Sequence, residues 1–319
     1  MAFIREKTVA GKTRHYAEKT VRLPGGKVTK ASVYLKDYDP KLKSQYLEEA
    51  LPILEQKTSE ISLNASVSRY PKSRIFPEET IRRIEESRLG YKKILNKLTK
   101  NQMQDVIDRF TANFTYESNA IEGNSLTLKD VTFLFKENRT PAGKDLREIH
   151  ESINTREAMS RMFKGNFRID HESIIRLHSI LTKNTGISQG YKRLPNFLLG
   201  RSVKTASPEK VKSEMDALLG WYHENPDIHP LERAAWFHGK FEQIHPFEDG
   251  NGRTGRMIVN AMLVAEGYPP LIIRTSQRMS YFSALDAFDH RHEDKLKRFM
   301  IERYLDTYEK FFKVYVKYL

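Results

Sequence analysis

The spacing of apolar positions changes character once along the chain. Residues 15–22 and 27–35 alternate apolar and polar positions, are rich in Tyr, Val and Thr, and flank Leu23-Pro24-Gly25-Gly26. That pattern predicts a β-hairpin. Two strands are marginal by themselves, so the hairpin is expected to pack on the next stretch of the chain or to pair with another chain. From Asp39 onward the apolar period becomes three and four residues, the signature of amphipathic helices. Residues 42–63 read as helix despite Pro52. Pro77-Glu78-Glu79 opens a second helix to about residue 98, with proline at the first position and acids in the first turn. Further helices are predicted over 101–121 (stopping at Gly123), after Thr127, and over 145–163 and 171–181. Residues 190–206 break the rhythm with Pro195, Gly200 and the apolar run Phe197-Leu198-Leu199, and read as a short hairpin or flap. Helix restarts at Ser207-Pro208-Glu209 and runs to about 223, then over 230–244, 253–265, 278–290 and 294–318, with a loop over 245–251. The expected fold is all-α with a β-hairpin flap, preceded by helices and an N-terminal β-hairpin.

Composition narrows this picture modestly. Among 319 residues the longest apolar run, near residues 257–265, is broken by Asn260 and is far short of the roughly 20 residues of a membrane span. The leading residues lack the apolar core of a signal peptide. There are no cysteines, which removes disulfides, thiolate metal sites and a cysteine nucleophile together. A cytoplasmic protein with no membrane association is the plain expectation. The net charge is +13, and residues 1–37 carry nine Lys and Arg against three acids. Such a balance suits polyanions, and equally a solubilising surface.

The chemistry concentrates in residues 245–256, His245-Pro246-Phe247-Glu248-Asp249-Gly250-Asn251-Gly252-Arg253-Thr254-Gly255-Arg256. Gly250-Asn251-Gly252 falls where a loop becomes a helix. The free N–H groups of a first helical turn make an anion site, and glycine lets the backbone approach a ligand. Arg253 and Arg256, three apart, share a helix face beside that turn and suit a polyphosphate. Asp249 is placed to hold Mg²⁺ with substrate phosphates completing the shell. His245, at the end of the preceding helix, could take a proton from an attacking hydroxyl. Each residue also has an ordinary reading: a histidine before proline caps a helix, Gly-Asn-Gly makes a turn, and arginines are commonly solvated. Arginines in a first helical turn oppose the helix dipole, however, which fits a site whose anion offsets that cost.

The pattern His-Pro-Phe-x-Asp-Gly-Asn-Gly-Arg-x-x-Arg resembles the Fic family signature at every defined position. The resemblance extends upstream through His229-Pro230-Leu231, Ala234-Ala235 and His238, and downstream to Tyr281-Phe282-x-Ala284-Leu285, covering roughly residues 100–290. It implies a Fic-type helical bundle that moves AMP from ATP, with Mg²⁺, onto a Ser, Thr or Tyr hydroxyl of a target protein or of the chain itself. His245 would be the general base and Asp249 the metal ligand. Gly250, Asn251 and Gly252 would hold the α-phosphate, Arg253 the inner phosphates and Arg256 the γ-phosphate. Tyr281 and Phe282 would meet the base, and the flap at Phe197, Leu198 and Leu199 would pin the target by strand addition. The segment Gly190-Tyr191-Lys192-Arg193 follows the family's flap pattern only loosely. The implied domains are a basic hairpin at 1–37, a helical region at 38–99, a Fic domain at 100–290 and a C-terminal helix at 291–319.

Ser118-Asn119-Ala120-Ile121-Glu122-Gly123-Asn124 resembles the inhibitory motif of Fic proteins with an N-terminal inhibitory helix, here 101–123. From the residues alone, Ser118 and Glu122 share a helix face and Gly123 supplies a stop. The resemblance implies that Glu122 pairs with Arg256 in place of the γ-phosphate. It leaves open whether the same glutamate also serves AMP removal, and whether the chain forms a homodimer. The rival reading is a nucleotide-sensing or nucleic-acid-binding regulator with a little-active Fic domain, favoured by the charge but lacking a helix-turn-helix pattern. A zinc hydrolase is disfavoured, because His229, His238 and His245 lack the His-Glu-x-x-His spacing.

Overall fold

The computed structural model describes residues 2–165, 167–196 and 205–316. The chain divides into two units, Met1–Leu89 and Gly90–Leu319.

The first unit holds three antiparallel strands in the order β1 (Ala2–Val9), β2 (Lys12–Arg22) and β3 (Val28–Leu35). Strands β2 and β3 are the predicted hairpin. Strand β1 is an addition that the sequence pattern did not predict, since only Ala2 and Ile4 mark its inner face before charged residues take over. It joins β2 through Ala10 and Gly11, both at positive φ, as a tight two-residue hairpin turn requires. Pairing runs from Ala2 opposite Lys19 to Val9 opposite Lys12, and from His15 opposite Leu35 to Arg22 opposite Val28. Alternation then sends Ala17, Val21, Ala31 and Leu35 to one face. There they meet Ala50 and Leu54 of helix α1 (Lys43–Arg69), which continues through Pro52. The third strand and α1 together bury the face that a bare hairpin would have left wet.

Helix α2 (Glu78–Lys97) is followed in the second unit by α3 (Lys100–Ile121), α4 (Leu128–Glu137), α5 (Leu146–Phe163) and α6 (His171–Leu181). Then come α7 (Pro208–Glu224), α8 (Pro230–Ile244), α9 (Asn251–Ala265), α10 (Arg278–Asp289), α11 (Glu293–Thr307) and a short α12 (Lys313–Val316). Thr99 and Thr127 open α3 and α4 with reciprocal capping boxes to Gln102 and Asp130. The last predicted helix is not continuous: one π-helical turn, Tyr308–Phe312, separates α11 from α12. That turn allows the adjacent rings of Phe311 and Phe312 both to pack on Phe110, at 5.5 and 5.6 Å.

Helix α9 is enclosed on nearly all sides and packs against α8, α6, α5 and α3. Its apolar residues Ile258, Val259 and Leu263 join Phe237 and Phe241 of α8 and Phe247 of the connecting loop in the core. A Cβ on Gly255 would lie 2.9 Å from Glu242 Oε1 and from the His238 ring, so glycine permits the close crossing of α8 and α9. Among the described residues no helix is long and apolar enough to cross a membrane. The expected flap at Phe197, Leu198 and Leu199 lies outside the described residues.

Candidate functional site

The site begins where α8 stops. His245 closes that helix in the left-handed region, φ 50° and ψ 61°, with its N–H donating to Phe241 O at 2.9 Å. Pro246 contributes to this, since the residue before a proline is disfavoured in the right-handed helical region. A left-handed non-glycine residue costs on the order of 1–3 kcal/mol and persists only when its surroundings hold it. Here they do. Asn251 accepts from Phe247 N and donates to Phe247 O, both at 2.9 Å, closing the loop on itself. Asn196 also donates to Phe247 O (2.8 Å), and Lys192 N donates to Pro246 O (2.9 Å). The Lys192 ammonium donates to Asn196 Oδ1 and Thr205 Oγ1, and burial lowers its pKa to about 8.

Beneath the loop, His178 of α6 stacks on Phe247 with centroids 3.8 Å apart and planes within 4°. Its Nε2 lies 3.0 Å from Asp249 O, and a carbonyl only accepts, so Nε2 carries the proton. Burial lowers the His178 pKa to about 4, although that hydrogen bond acts to raise it. The ring is therefore neutral near pH 7.

Gly250, at φ 78°, caps α9 and turns the chain into it. The two arginines beyond it are sealed from solvent, Arg253 at 3% exposure and Arg256 at 2%. Arg253 Nη1 is 3.0 Å from Glu151 of α5. Arg256 donates from Nε to Ser118 Oγ (3.0 Å) and from Nη2 to Ser118 O (2.8 Å), and Nη2 also meets Glu122 Oε1 at 2.8 Å. Burial works to lower the Arg256 pKa, but the Glu122 charge and the neighbouring Tyr281 and Glu242 raise it overall. Glu122 follows the last turn of α3, and Gly123 beyond it has φ 100°. Its carboxylate lies over Gly252, where a Cβ would run into Oε1. Even so, Arg256 Nη1 and Arg253 Nε have no hydrogen-bond partner among the described residues.

The remaining predicted residues are spread around this centre. Asp249 is half exposed, taking the Gly250 N–H at 2.6 Å on one oxygen and Arg147 Nη2 at 2.8 Å on the other. Tyr281 is buried beneath Arg256, whose guanidinium sits 5.9 Å from its ring centre, and its hydroxyl is 2.8 Å from His238 Nε2. Phe282 is partly exposed, with Arg278 over its ring at 4.8 Å. His229 caps α8 by accepting from Leu231 N (3.1 Å). Among the described residues no three His, Asp or Glu side chains form a metal cage. Asp249, a half-exposed carboxylate beside the N-terminus of α9, has the oxygen chemistry that Mg²⁺ takes from one or two carboxylates and a substrate's phosphates.

Sequence reasoning missed Arg147, Glu151, His178 and Lys192. The Arg147–Glu151 pair, at 3.4 Å, has the spacing of a routine surface ion pair, yet each residue also reaches into the site. Glu151 further accepts from Asn124 Nδ2 at 2.9 Å, tying the segment after α3 to the partner of Arg253.

A family profile described as "Fic/DOC family" matches residues 168–263, spanning α6 to α9 and the whole arginine turn. The chain carries a Fic domain. Over 203 residues it is 34% identical to the protein adenylyltransferase Fic of Nematostella vectensis, covering 60% of this chain and 47% of that protein. Over 180 residues it is 31% identical to the protein adenylyltransferase fic-1 of Caenorhabditis elegans, covering 54% of this chain and 35% of that one. The chain thus spans less than half the length of these two relatives. Among solved structures, a Fic domain-containing signaling protein from Bacteroides thetaiotaomicron superimposes with a TM-score of 0.66 at 26% identity, over 74% of this chain and 97% of that one.

Proposed function

We propose that the protein transfers AMP from ATP to a hydroxyl side chain of a protein, itself included, and that Glu122 holds the site shut. One observation carries the reading: the Glu122 carboxylate lies on Arg256 at 2.8 Å and over Gly252, where a helix N-terminus and a sealed arginine are built for an anion. An internal carboxylate fills the seat meant for phosphate. The unpartnered Arg256 Nη1 and Arg253 Nε support the same reading, since a polyphosphate would satisfy both. Relatives named protein adenylyltransferase supply the transferred group.

In this reading His245 accepts the proton as the target oxygen bonds to the α-phosphorus, and the bond to the bridging oxygen breaks to release pyrophosphate. The Gly250 to Gly252 turn and Arg253 stabilise charge on the α- and β-phosphates, and Arg256 takes the γ-phosphate once Glu122 has left. Asp249 would hold Mg²⁺, which neutralises phosphate charge when bound. Phe282 offers a ring face to the base while Tyr281 backs Arg256. The transferase unit spans 100–290, with 101–123 as its inhibitory helix.

The test is incubation of the wild type, Glu122→Gly and Glu122→Gly/His245→Ala with Mg²⁺ and α-labelled ATP, followed by intact mass. Glu122→Gly is expected to gain one AMP per modified hydroxyl, at least about a hundredfold faster than wild type. The double variant should lose about 10²–10⁴ of that rate, the usual worth of a general base. Equal labelling with and without Glu122 would sink the inhibitory role. No labelling in either, with ATP still bound, would sink AMP transfer.

A further inference from the structure

The outer face of the N-terminal sheet plays no part in that chemistry. With Ala17, Val21, Ala31 and Leu35 turned onto α1, alternation turns the opposite set to solvent. Three aromatic rings stand there, one per strand: Phe3, Tyr16 and Tyr34, with Phe3 38% and Tyr34 51% exposed. Tyr16 and Tyr34 are direct cross-strand partners, with ring centres 5.5 Å apart. Each ring has its own cation: Lys30 is 5.4 Å from Phe3, Lys7 4.8 Å from Tyr16 and Arg14 5.8 Å from Tyr34.

Arg5, Lys12 and Arg22 share the same face by register, which makes six cations against one carboxylate, Glu18. Glu18 is 1% exposed. It draws Lys7 to 2.6 Å, Lys30 to 3.4 Å and Arg5 to 3.7 Å, and takes the Ser32 hydroxyl at 2.9 Å. It therefore organises the cations from below without presenting its own charge to a ligand.

This combination selects among partners. A face that served only solubility needs cations and gains nothing from exposed rings. An apolar partner would use rings and leave no place for a cationic surround. Duplex nucleic acid is gripped through phosphates and groove edges, and offers no free base to a flat ring. Single strands use both features: unstacked bases lie on aromatic rings while phosphates meet surrounding cations. Strand spacing makes the platform roughly 10 Å wide, and the eleven residues of β2 run about 36 Å. The phenols of Tyr16 and Tyr34, with the hydroxyls of Thr20 and Ser32 on the same face, are suited to a ribose 2′-hydroxyl.

We propose that this sheet face binds single-stranded RNA, its bases stacked on Phe3, Tyr16 and Tyr34 and its phosphates held by Lys7, Arg14 and Lys30. The proposal is independent of the activity of the Fic domain. It is tested with the full chain and a fluorescein-labelled oligouridylate of about twelve nucleotides, within the span of a stacking module. Anisotropy is read from roughly 50 to 200 mM KCl, where phosphate contacts give a slope of about −0.7 each in a log–log plot.

The expected slope is between about −2 and −4, with no competition by excess ATP. Phe3→Ala/Tyr34→Ala, both at exposed positions, should weaken binding by roughly tenfold or more with the slope kept. Lys7→Gln/Arg14→Gln should flatten the slope, and the circular dichroism of both variants should match wild type. Binding untouched by the aromatic pair overturns the proposal in favour of a plain electrostatic face, as does equal affinity for anionic lipid vesicles. Equal affinity for duplex RNA or for oligodeoxythymidylate of the same length overturns the assignment to single-stranded RNA. Competition by ATP would place the oligonucleotide in the Fic site and overturn it too.

Discussion

In the N-terminal sheet a carboxylate, Glu18, is sealed beneath cations that stay wet. In the Fic domain two cations, Arg253 and Arg256, are sealed against carboxylates. The sheet answers its buried charge with a surplus: Lys7, Lys30 and Arg5 are 38%, 39% and 51% exposed, so each can exchange Glu18 for water. The arginines have no such exit. Arg256 has Glu122 and the Ser118 hydroxyl and carbonyl, and Arg253 has Glu151. A sealed cation that loses its carboxylate is left with a large unmet desolvation cost. The arginines therefore define a seat that something anionic must fill, whereas the sheet defines a field that many anions can share.

The contrast can be broken most sharply at Arg256. In a Glu122→Gly background, Arg256→Ala is expected to slow AMP transfer by at least about 10³-fold, the scale set by a phosphate-directed arginine. Lys7→Ala in the same background should leave the rate unchanged. Label incorporation measures both, and similar losses from the two would erase the distinction between seat and field. Next in size is the cost to folding. Glu151→Gln leaves Arg253 without its carboxylate and should destabilise by about 3–5 kcal/mol in urea unfolding. Glu18→Gln, whose cations rehydrate, should cost about 1 kcal/mol.

A third prediction sharpens the picture beneath the loop. His178 titrates at about 4 when folded and at 6.5 in its ordinary state. The unfolded chain thus binds the extra proton first as pH falls. Stability contributed by the neutral ring is whole above pH 6.5 and drains as pH drops from there towards 4, by about 3 kcal/mol at 1.36 kcal/mol per unit. Urea titrations across that window should reveal the slope. His178→Phe, which keeps a ring on Phe247, should flatten it. The smallest effect is expected from Tyr34→Leu, an exposed change worth within about 0.5 kcal/mol of stability, checked by melting.

How much of this was legible depends on how far apart the partners lie in sequence. The helices came from local periodicity, and caps such as Thr127 from local chemistry. Glycines and arginines at a loop-to-helix junction pointed to an anion turn because a helix N-terminus has the same physics everywhere. Strand β1 was hidden because Arg5, Glu6 and Lys7 interrupt its alternation, and its turn, Ala10-Gly11, is not one of the strong dipeptide signals. The break after α11 was hidden because nothing in a helical period announces that Phe311 and Phe312 will both seek Phe110. Arg147 meets Asp249 across 102 positions and His178 meets the same residue across 71. No spacing rule reaches that far. The pairing of Glu122 with Arg256 was foreseen only through a family resemblance, and the contact of Ser118 with Arg256, across 138 positions, was not foreseen at all.

One small segment has a wider reach than its size suggests. Residues 122–124 touch one arginine directly, through Glu122, and the other at one remove, through Asn124 and Glu151. Glu151 holds Arg253 on one carboxylate oxygen and Asn124 on the other, so one side chain pins both the arginine turn and the end of α3. A change at that single carboxylate is therefore felt on both sides of the site at once.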